Sequence, residues 1–396
     1  MPHDRFALVG PAFAAGGARD LAGSPIRLVT VERVALRVGE DESVIWLGRG
    51  LLEQAADRLV SPSGRFLLVS SRSARPATDR LRPVLASSLI LDVEIEDSEQ
   101  EKTLDAVSEI ADRALEKGVR RDDAFVAVGG GVVTDLVGFA AAILLRGVAW
   151  NAVPTTVAGM ADAAIGGKTG VDHRLGKNLL GAFHFPRSIV VDPSAAATLS
   201  DRDYRSGLVE AFKGVWIRNA KASARAETLL PAIRSRDEEA LLELVSDAVR
   251  IKADIVSSDP KESGERRLLN FGHTLGHAFE AAGGYRELRH GEAVAWGISA
   301  ALTISRDRAG LSEDEAARVR EVLARLGPFP EPVRSAEVLR PLLSRDKKRS
   351  ASGLAGVLLE EIGRARVEEN VPEAEWLAAA AHARLPPALQ TRSNPT

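Results

Sequence analysis

Two histidines, His273 and His277, stand four residues apart in RLLNFGHTLGHAFE, and His290 follows in RHGEAVAWG. On a helix, side chains at i and i+4 share one face, so His273 and His277 can address one site. Glu210 and Lys213 stand three apart in GLVEAFKG, again on one helical face. Two imidazoles and one carboxylate make a sound catalytic zinc set that leaves a position open for substrate. A single histidine is more often an ordinary surface or core residue. Here three of the 7 His fall within residues 273–290, flanked by glycines and by Asn270, and that clustering favours the metal reading. The spacing is not HExxH, so a zincin protease is not expected. The chain has 0 Cys, which excludes disulfides, thiolate ligands and cysteine nucleophiles. Any metal must therefore be held by His, Asp, Glu or carbonyl oxygen.

A second set lies in GGKTGVDHRLGKNLLGAFHFP and just before it. Asp162, Lys168, Lys177 and Asn178 sit in a stretch studded with glycines from Gly159 to Gly181. Two lysines and an amide on a glycine-rich backbone suit an oxyanion-rich ligand. The bland alternative is a solvated loop with incidental lysines. GGKT invites a P-loop reading, but GxxxxGK[ST] requires Gly at position 162, where Asp stands. Lys252, Arg266 and Arg267 add cations on the approach to the histidines. A third set is Gly129, Gly130 and Gly131, between an expected strand and an expected helix, where backbone can approach a pyrophosphate. The spacing is not GxGxxG, so a plain βα turn fits as well. Asp135 follows one turn into the helix, and Thr155 and Thr156 follow another strand-like stretch.

These residues need elements to hold them. Strands are expected over 27–38 and in SVIWLG, RFLLVSS, LILDVEI and DAFVAVG, with a helix over LLEQAADRLV. Residues 103–116 read as an amphipathic helix burying Leu104, Val107, Ile110, Ala111 and Leu115. VVTDLVGFAAAILL is a further helix, and the alternation predicts a largely parallel sheet in an α/β fold. From Asp201 onward the long segments read as helices, and GLAGVLLEEIG is the one strand signal. The expected organisation is an extension over 1–26, a Rossmann-like α/β domain over 27–200, a mainly helical domain over 201–385 and a tail over 386–396. Ligands bind preferentially between such domains.

Composition narrows the partners. With 396 residues and 45% hydrophobic content the chain is long enough for two cores and too apolar to be disordered throughout. Fifty-two Lys+Arg against 55 Asp+Glu give a net charge of −3, so no global basic field for nucleic acid exists. The N-terminal segment is broken by Gly10, Pro11, Gly16 and Gly17, which fits a secretory signal poorly. FAAAILLRGVAW is interrupted by Arg146 short of a membrane span. A cytoplasmic protein without membrane contact is expected.

Taken in order, EDSEQEKTL, GGGVVTD, RGV, PTT, DAAIGGKTGVDHRLGKNLLGAFH, GLVEAFK, KADIVSSDPKESGERRLLNFGHTLGH, HGEAVAWG and RDKK resemble the 3-dehydroquinate synthase family of sugar phosphate cyclases. The resemblance runs over about residues 27–375. It implies NAD contacts from Glu99, Lys102, Gly130, Gly131, Asp135, Thr155, Thr156, Lys168, Lys177 and Thr198. It implies a divalent zinc or cobalt ion on Glu210, His273 and His290. Asp162, Lys168, Asn178, Lys213, Lys252, Arg266, Asn270, His277 and Lys347 match substrate-pocket positions. Arg146 matches an arginine that reaches the neighbouring subunit's site, so a homodimer is implied. The implied reaction belongs to the shikimate pathway and converts 3-deoxy-D-arabino-heptulosonate 7-phosphate to 3-dehydroquinate and phosphate. It proceeds by transient oxidation at C5, β-elimination of phosphate, reduction and intramolecular aldol closure. His277 is the expected proton-transfer residue, and the substrate phosphate itself is an alternative base.

Asp172 stands where the family usually has Asn, LSDRD replaces the common LPxRE, and an alanine run at 195–197 precedes Thr198. GGKTG, the Arg266–Asn270 spacing and RDKK favour 3-dehydroquinate synthase. The alternatives are a 2-epi-5-epi-valiolone synthase, a 2-deoxy-scyllo-inosose synthase, a metal-dependent polyol dehydrogenase or a non-catalytic binding homologue.

Overall fold

The structure, a computed structural model, describes residues 31–39, 41–343, 349–350 and 353–387. The extension over 1–26, Lys347 and the tail beyond 387 lie outside the described residues.

Among the described residues, nine strands and three α-helices precede residue 200. The strands are β1 (Glu32–Val38), β2 (Asp41–Leu47), β3 (Phe66–Ser71), β4 (Leu89–Ile95), β5 (Ala124–Gly129), β6 (Ala149–Pro154), β7 (Lys168–His173), β8 (Gly176–Phe183) and β9 (Ser188–Val191). The helices are α1 (Arg75–Leu85), α2 (Leu104–Glu116) and α3 (Gly131–Ile143). Seven strands form one sheet in the order β1-β2-β9-β6-β5-β3-β4. Only the β1–β2 pair is antiparallel; the rest run parallel. Strands β3 and β5 are buried along their whole length, as a sheet covered on both faces requires. The chain leaves β3 toward β4 at the edge and returns to β5 on the other side of β3. The carboxyl ends of β3 and β5 are thus a topological switch point, where open α/β sheets bind ligands. The glycines at 129–131 lie there.

After residue 200 come α4 (Asp201–Arg218), α5 (Ala220–Arg234), α6 (Glu238–Ser258), α7 (His273–Ala282), α8 (His290–Ala309), α9 (Glu313–Leu326), α10 (Ala336–Leu343) and α11 (Glu373–His382). Strands β10 (Arg349–Ser350), β11 (Gly353–Glu361) and β12 (Arg364–Val371) form a small antiparallel sheet among them. Helices α4 and α8 are buried over most of their length, with apolar and small residues in their central turns and most of their charged residues toward the ends.

Several expectations need correction. LLEQAADRLV forms only a 3-10 turn over Leu52–Asp57. Its start is pinned because Asp192 Oδ2 accepts from both Leu51 N at 2.7 Å and Leu52 N at 3.3 Å. In α2, Val107, Ile110 and Ala114 are buried while Leu104 and Leu115 are exposed; the buried face is narrower than the apolar pattern. The glycine-rich segment after residue 167 is an antiparallel hairpin, β7–β8, rather than a loop. β12 escaped notice because its RARVEENV sequence alternates charge on an edge strand, where burial is slight.

Candidate active site

The histidines converge because helix starts are docked tightly. Gly291 N donates to Ser206 Oγ of α4 at 3.0 Å, and Arg202 of α4 pairs with Glu292 at 2.7 Å. A Cβ on Gly291 would lie 1.9 Å from the Ser206 carbonyl oxygen, so only glycine permits this approach. His290, the first residue of α8, is thereby set beside Glu210 of α4. At the other contact, Gly297 of α8 lets the Gly272 carbonyl of the α7 N-terminus approach, which sets His273 beside His290.

Ligand atoms of Glu210, His273 and His290 all lie within 4.8 Å of one another. His290 Nε2 is 3.4 Å and His273 Nε2 4.0 Å from Glu210 Oε1. The other ring nitrogens are occupied: His273 Nδ1 sits 3.1 Å from the Phe271 carbonyl and His290 Nδ1 3.1 Å from Glu280 Oε2. Both Glu210 oxygens are buried without a well-directed hydrogen bond. Lys213 Nζ approaches Oε2 at 2.5 Å as an ion pair but off the hydrogen-bonding direction. Burial alone would raise the Glu210 pKa, but Lys213 and His290 hold it well below the usual carboxylate range. Burial would likewise lower His290, yet Glu280 and Glu210 raise it above an ordinary imidazole. A buried carboxylate whose oxygens face two imidazole Nε2 atoms fits a divalent cation with nitrogen and oxygen ligands.

Cations surround this centre. Lys252 of α6 reaches both the carbonyl and Oδ1 of Asp162 at 2.5 Å. Asp162 lies on a π-helical turn over Gly159–Ala163. Burial lowers Lys252 to about 8. Burial would raise Asp162, but Lys252 and Lys213 bring it down to about 2. Arg266 is buried and donates to the Gly166 carbonyl at 2.8 Å and the Pro260 carbonyl at 2.6 Å. Lys168 pairs with Glu262, which also accepts from Asn270 Nδ2 at 2.6 Å. Lys168 opens a strand rather than a helix, so the P-loop reading fails on geometry as well as on sequence.

Toward the sheet, buried Lys102 contacts Asp135 Oδ2 and Asn178 Oδ1, each at 2.5 Å. Asn178 holds a left-handed φ of 54°, and its N–H donates to Asp172 Oδ1 at 2.9 Å. The Asp172 N–H donates to the Lys102 carbonyl at 2.8 Å. Lys177 Nζ lies 3.0 Å from Glu99 and 3.5 Å from Glu280. Thr155 N donates to the Gly129 carbonyl at 3.0 Å, and Thr156 packs against Gly130, so the PTT and glycine turns form one ledge.

His277 lies in the same cluster, its ring centroid 5.3 Å from that of His273 and 6.1 Å from that of His290. Thr198 is exposed beyond a 3-10 turn over Pro193–Ala196, and no described contact brings it to the other residues. Arg146 is also apart: it is exposed in the 3-10 turn that follows α3, Leu144–Arg146, with φ of 69°. Two acidic residues were missed from sequence. Glu280 stands one turn after His277, a spacing that could have revealed it. Glu262 sits on a loop with φ of 59°, outside any helical period, and nothing in the pattern marked it.

Comparisons with known proteins identify the family. The family model described as 3-dehydroquinate synthase N-terminal matches residues 92–206, and the one described as 3-dehydroquinate synthase C-terminal matches residues 207–349. The 3-dehydroquinate synthase of Halorhodospira halophila is 40% identical over 344 residues, covering 86% of this chain and 96% of that protein. A 2-epi-5-epi-valiolone synthase from Streptomyces hygroscopicus subsp. jinggangensis, solved with NAD+ and Zn2+, superposes with a TM-score of 0.77 at 30% identity, covering 88% and 98% of the two chains. A 2-deoxy-scyllo-inosose synthase solved with carbaglucose-6-phosphate, NAD+ and Co2+ superposes at 0.78 with 22% identity, covering 90% and 100%, and shares the fold. On the extent of these matches, the chain belongs to the 3-dehydroquinate synthase family.

Proposed function

We propose that this chain converts 3-deoxy-D-arabino-heptulosonate 7-phosphate to 3-dehydroquinate and phosphate, using NAD that ends the cycle unchanged and one zinc or cobalt ion. The reading is carried by one observation: Glu210, His273 and His290 bring their ligand atoms within 4.8 Å, with both Glu210 oxygens buried and without a well-directed hydrogen bond. Glu210, His273 and His290 would hold the cation. Glu99, Lys102, Gly130, Gly131, Asp135, Thr155, Thr156 and Lys177 would hold NAD. When bound, NAD supplies reversible hydride transfer and the cation supplies Lewis acidity at the substrate oxygen.

The chain's own residues supply the rest. Lys168, Lys252 and Arg266 form an anion clamp whose buried members interact strongly because little water screens them. Their fixed partners, Glu262, Asp162 and the Gly166 carbonyl, hold the cations in place before substrate arrives. Lys213 balances Glu210 within the same buried region. His277, exposed beside the cation set, is placed to move a proton. Asn178 and Asn270 offer neutral donors for substrate hydroxyls.

A domain boundary near residue 200 is proposed on the change from sheet to helices, with the site formed by residues from both sides. A homodimer in the cytoplasm is also proposed. Consecutive left-handed residues at 145–147 hold Arg146 outward, as an arginine serving a neighbour's site would be, and Ile143 beside it is exposed.

The test uses purified protein with NAD and Zn2+ or Co2+. It should release phosphate from the heptulosonate phosphate without accumulating NADH. Release only from sedoheptulose 7-phosphate would overturn the substrate assignment, and sustained NADH production would place the chain among dehydrogenases. His273→Ala should lose bound metal and activity together; full activity without metal would refute the cation site.

A further inference from the structure

Glu280 is a carboxylate in an unusual setting. It lies on α7 with 4% of its surface exposed, and its two described side-chain partners are both members of the proposed machinery. Oε2 is 3.1 Å from His290 Nδ1, and Oε1 is 3.5 Å from Lys177 Nζ. His290 thus stands between two carboxylates, with Nδ1 toward Glu280 and Nε2 toward Glu210 at 3.4 Å. Lys177 also stands between two carboxylates, the same Glu280 on the helical side and Glu99 on the sheet side.

The chemistry of imidazole gives this arrangement a consequence. A neutral imidazole presents a lone pair at one nitrogen only when the other carries the proton. A buried carboxylate at Nδ1 keeps the proton there, so that the Nε2 lone pair would be free for a cation held between it and Glu210. His273 receives the same treatment from the Phe271 carbonyl. A carboxylate is the stronger partner, because it stabilises charge drawn from the ring and also resists rotation of the ring. Burial adds a second consequence: an uncompensated carboxylate would be costly, so Glu280 holds Lys177 as well as His290.

We propose that Glu280 is a positioning residue that fixes His290 for cation binding and, through Lys177, ties the cation site to the β7–β8 hairpin. This rests on the cation reading of Glu210, His273 and His290. Glu280 acts through His290 and is not itself a cation ligand, although its oxygen, with nitrogens of His277 and His290, also falls in a group spanning 4.8 Å.

The test is metal affinity, measured apart from catalysis. Full-length protein is stripped with a chelator and titrated with Co2+, following the visible absorption and competition with an indicator. Circular dichroism and thermal melting confirm that each variant is folded. Glu280→Ala should weaken Co2+ binding about 10- to 100-fold, the range typical of lost outer carboxylates, with the shape of the Co2+ spectrum retained. Glu280→Gln, which keeps the volume and an oxygen for Nδ1–H, should recover part of the loss and decides the matter if the Ala variant does not fold. Lys177→Met, which leaves the Glu280–His290 contact in place, should weaken Co2+ binding less than Glu280→Ala does, and a loss as large as that of Glu280→Ala would overturn the assignment of the effect to the His290 contact. Parent-like affinity in both Glu280 variants would overturn the proposal. A loss as complete as that of His273→Ala, with a changed spectrum, would also overturn it by making Glu280 a ligand. If His273→Ala itself bound Co2+ like the parent, the cation site would fail instead, a result distinct from either outcome at Glu280.

Discussion

A methyl group added at Gly297 would lie 1.9 Å from the Gly272 carbonyl oxygen and 2.9 Å from both Gly272 C and Gly276 N. Real Cβ atoms essentially never come within 3.0 Å of a neighbour, so Gly297→Ala must move α8 and the α7 N-terminus apart by about 1 Å. The obstructing atoms are backbone and cannot turn aside as a side chain could. Overpacking of this kind costs roughly 1–3 kcal/mol, and the rigid contact argues for the upper end. The displacement falls where it matters, because Gly272 directly precedes His273 while Gly297 shares α8 with His290. Misplacement by about 1 Å in a catalytic constellation can cost on the order of 100-fold in rate. Urea unfolding and Co2+ titration measure the two effects separately. The expected result is a loss of about 2–3 kcal/mol in stability and weaker Co2+ binding. Gly214→Ala is the control: its Cβ would meet Ala248 at 3.5 Å, an ordinary contact within a helix, and stability should hold or rise by up to about 1 kcal/mol. Parent-like stability and Co2+ affinity in Gly297→Ala would refute the view that this close approach holds the two histidines together.

Two further predictions concern Lys252 and a third concerns Asp172. Lys252 faces Asp162 from the π-helical turn, Lys213 from α4 and Arg266 from the turn before α7, and its folded pKa is about 8 against an ordinary 10.5. Between those values the unfolded chain keeps a proton that the folded chain has released, so this residue's contribution to stability rises with pH across the window by about 3 kcal/mol and is lost as pH falls through about 8. Binding runs the other way: the ammonium neutralises as pH rises, so KM for the phosphorylated substrate should climb above pH of about 8, and a KM flat to pH of about 9.5 would contradict the assignment. Asp172→Ala removes the acceptor that holds the left-handed Asn178, so NADH affinity by fluorescence titration should fall several-fold and stability by about 1–2 kcal/mol. Asp172→Asn retains the Oδ1 acceptor and should bind like the parent; equal behaviour of the two variants would remove Asp172 from the positioning network.

Local chemistry was legible in the sequence to different degrees. The His273–His277 spacing marked a helical face, and α7 begins at His273. Buried strands β3 and β5 were visible as short apolar runs because both of their faces are covered. Leu104 and Leu115 misled, since a helical period reveals an apolar stripe but not how wide a stripe its neighbours cover. The β7–β8 hairpin was hidden by its glycines and charges, which read as a loop because the alternating apolar signal is weak.

By itself the sequence determined the chemical inventory. It supplied imidazoles and carboxylates without thiolates, cations confined to a few segments of a nearly neutral chain, and apolar periods that impose a parallel sheet followed by helices. The tertiary structure decided which of these groups meet. Glu210 and His290 are eighty positions apart in sequence, and their contact depends on glycines that let two helices approach backbone to backbone. Glu280 acquired its place because folding buried a carboxylate between an imidazole and an ammonium. Burial, and with it the strength of every charge in the site, is a property of the packed whole, which no local spacing encodes.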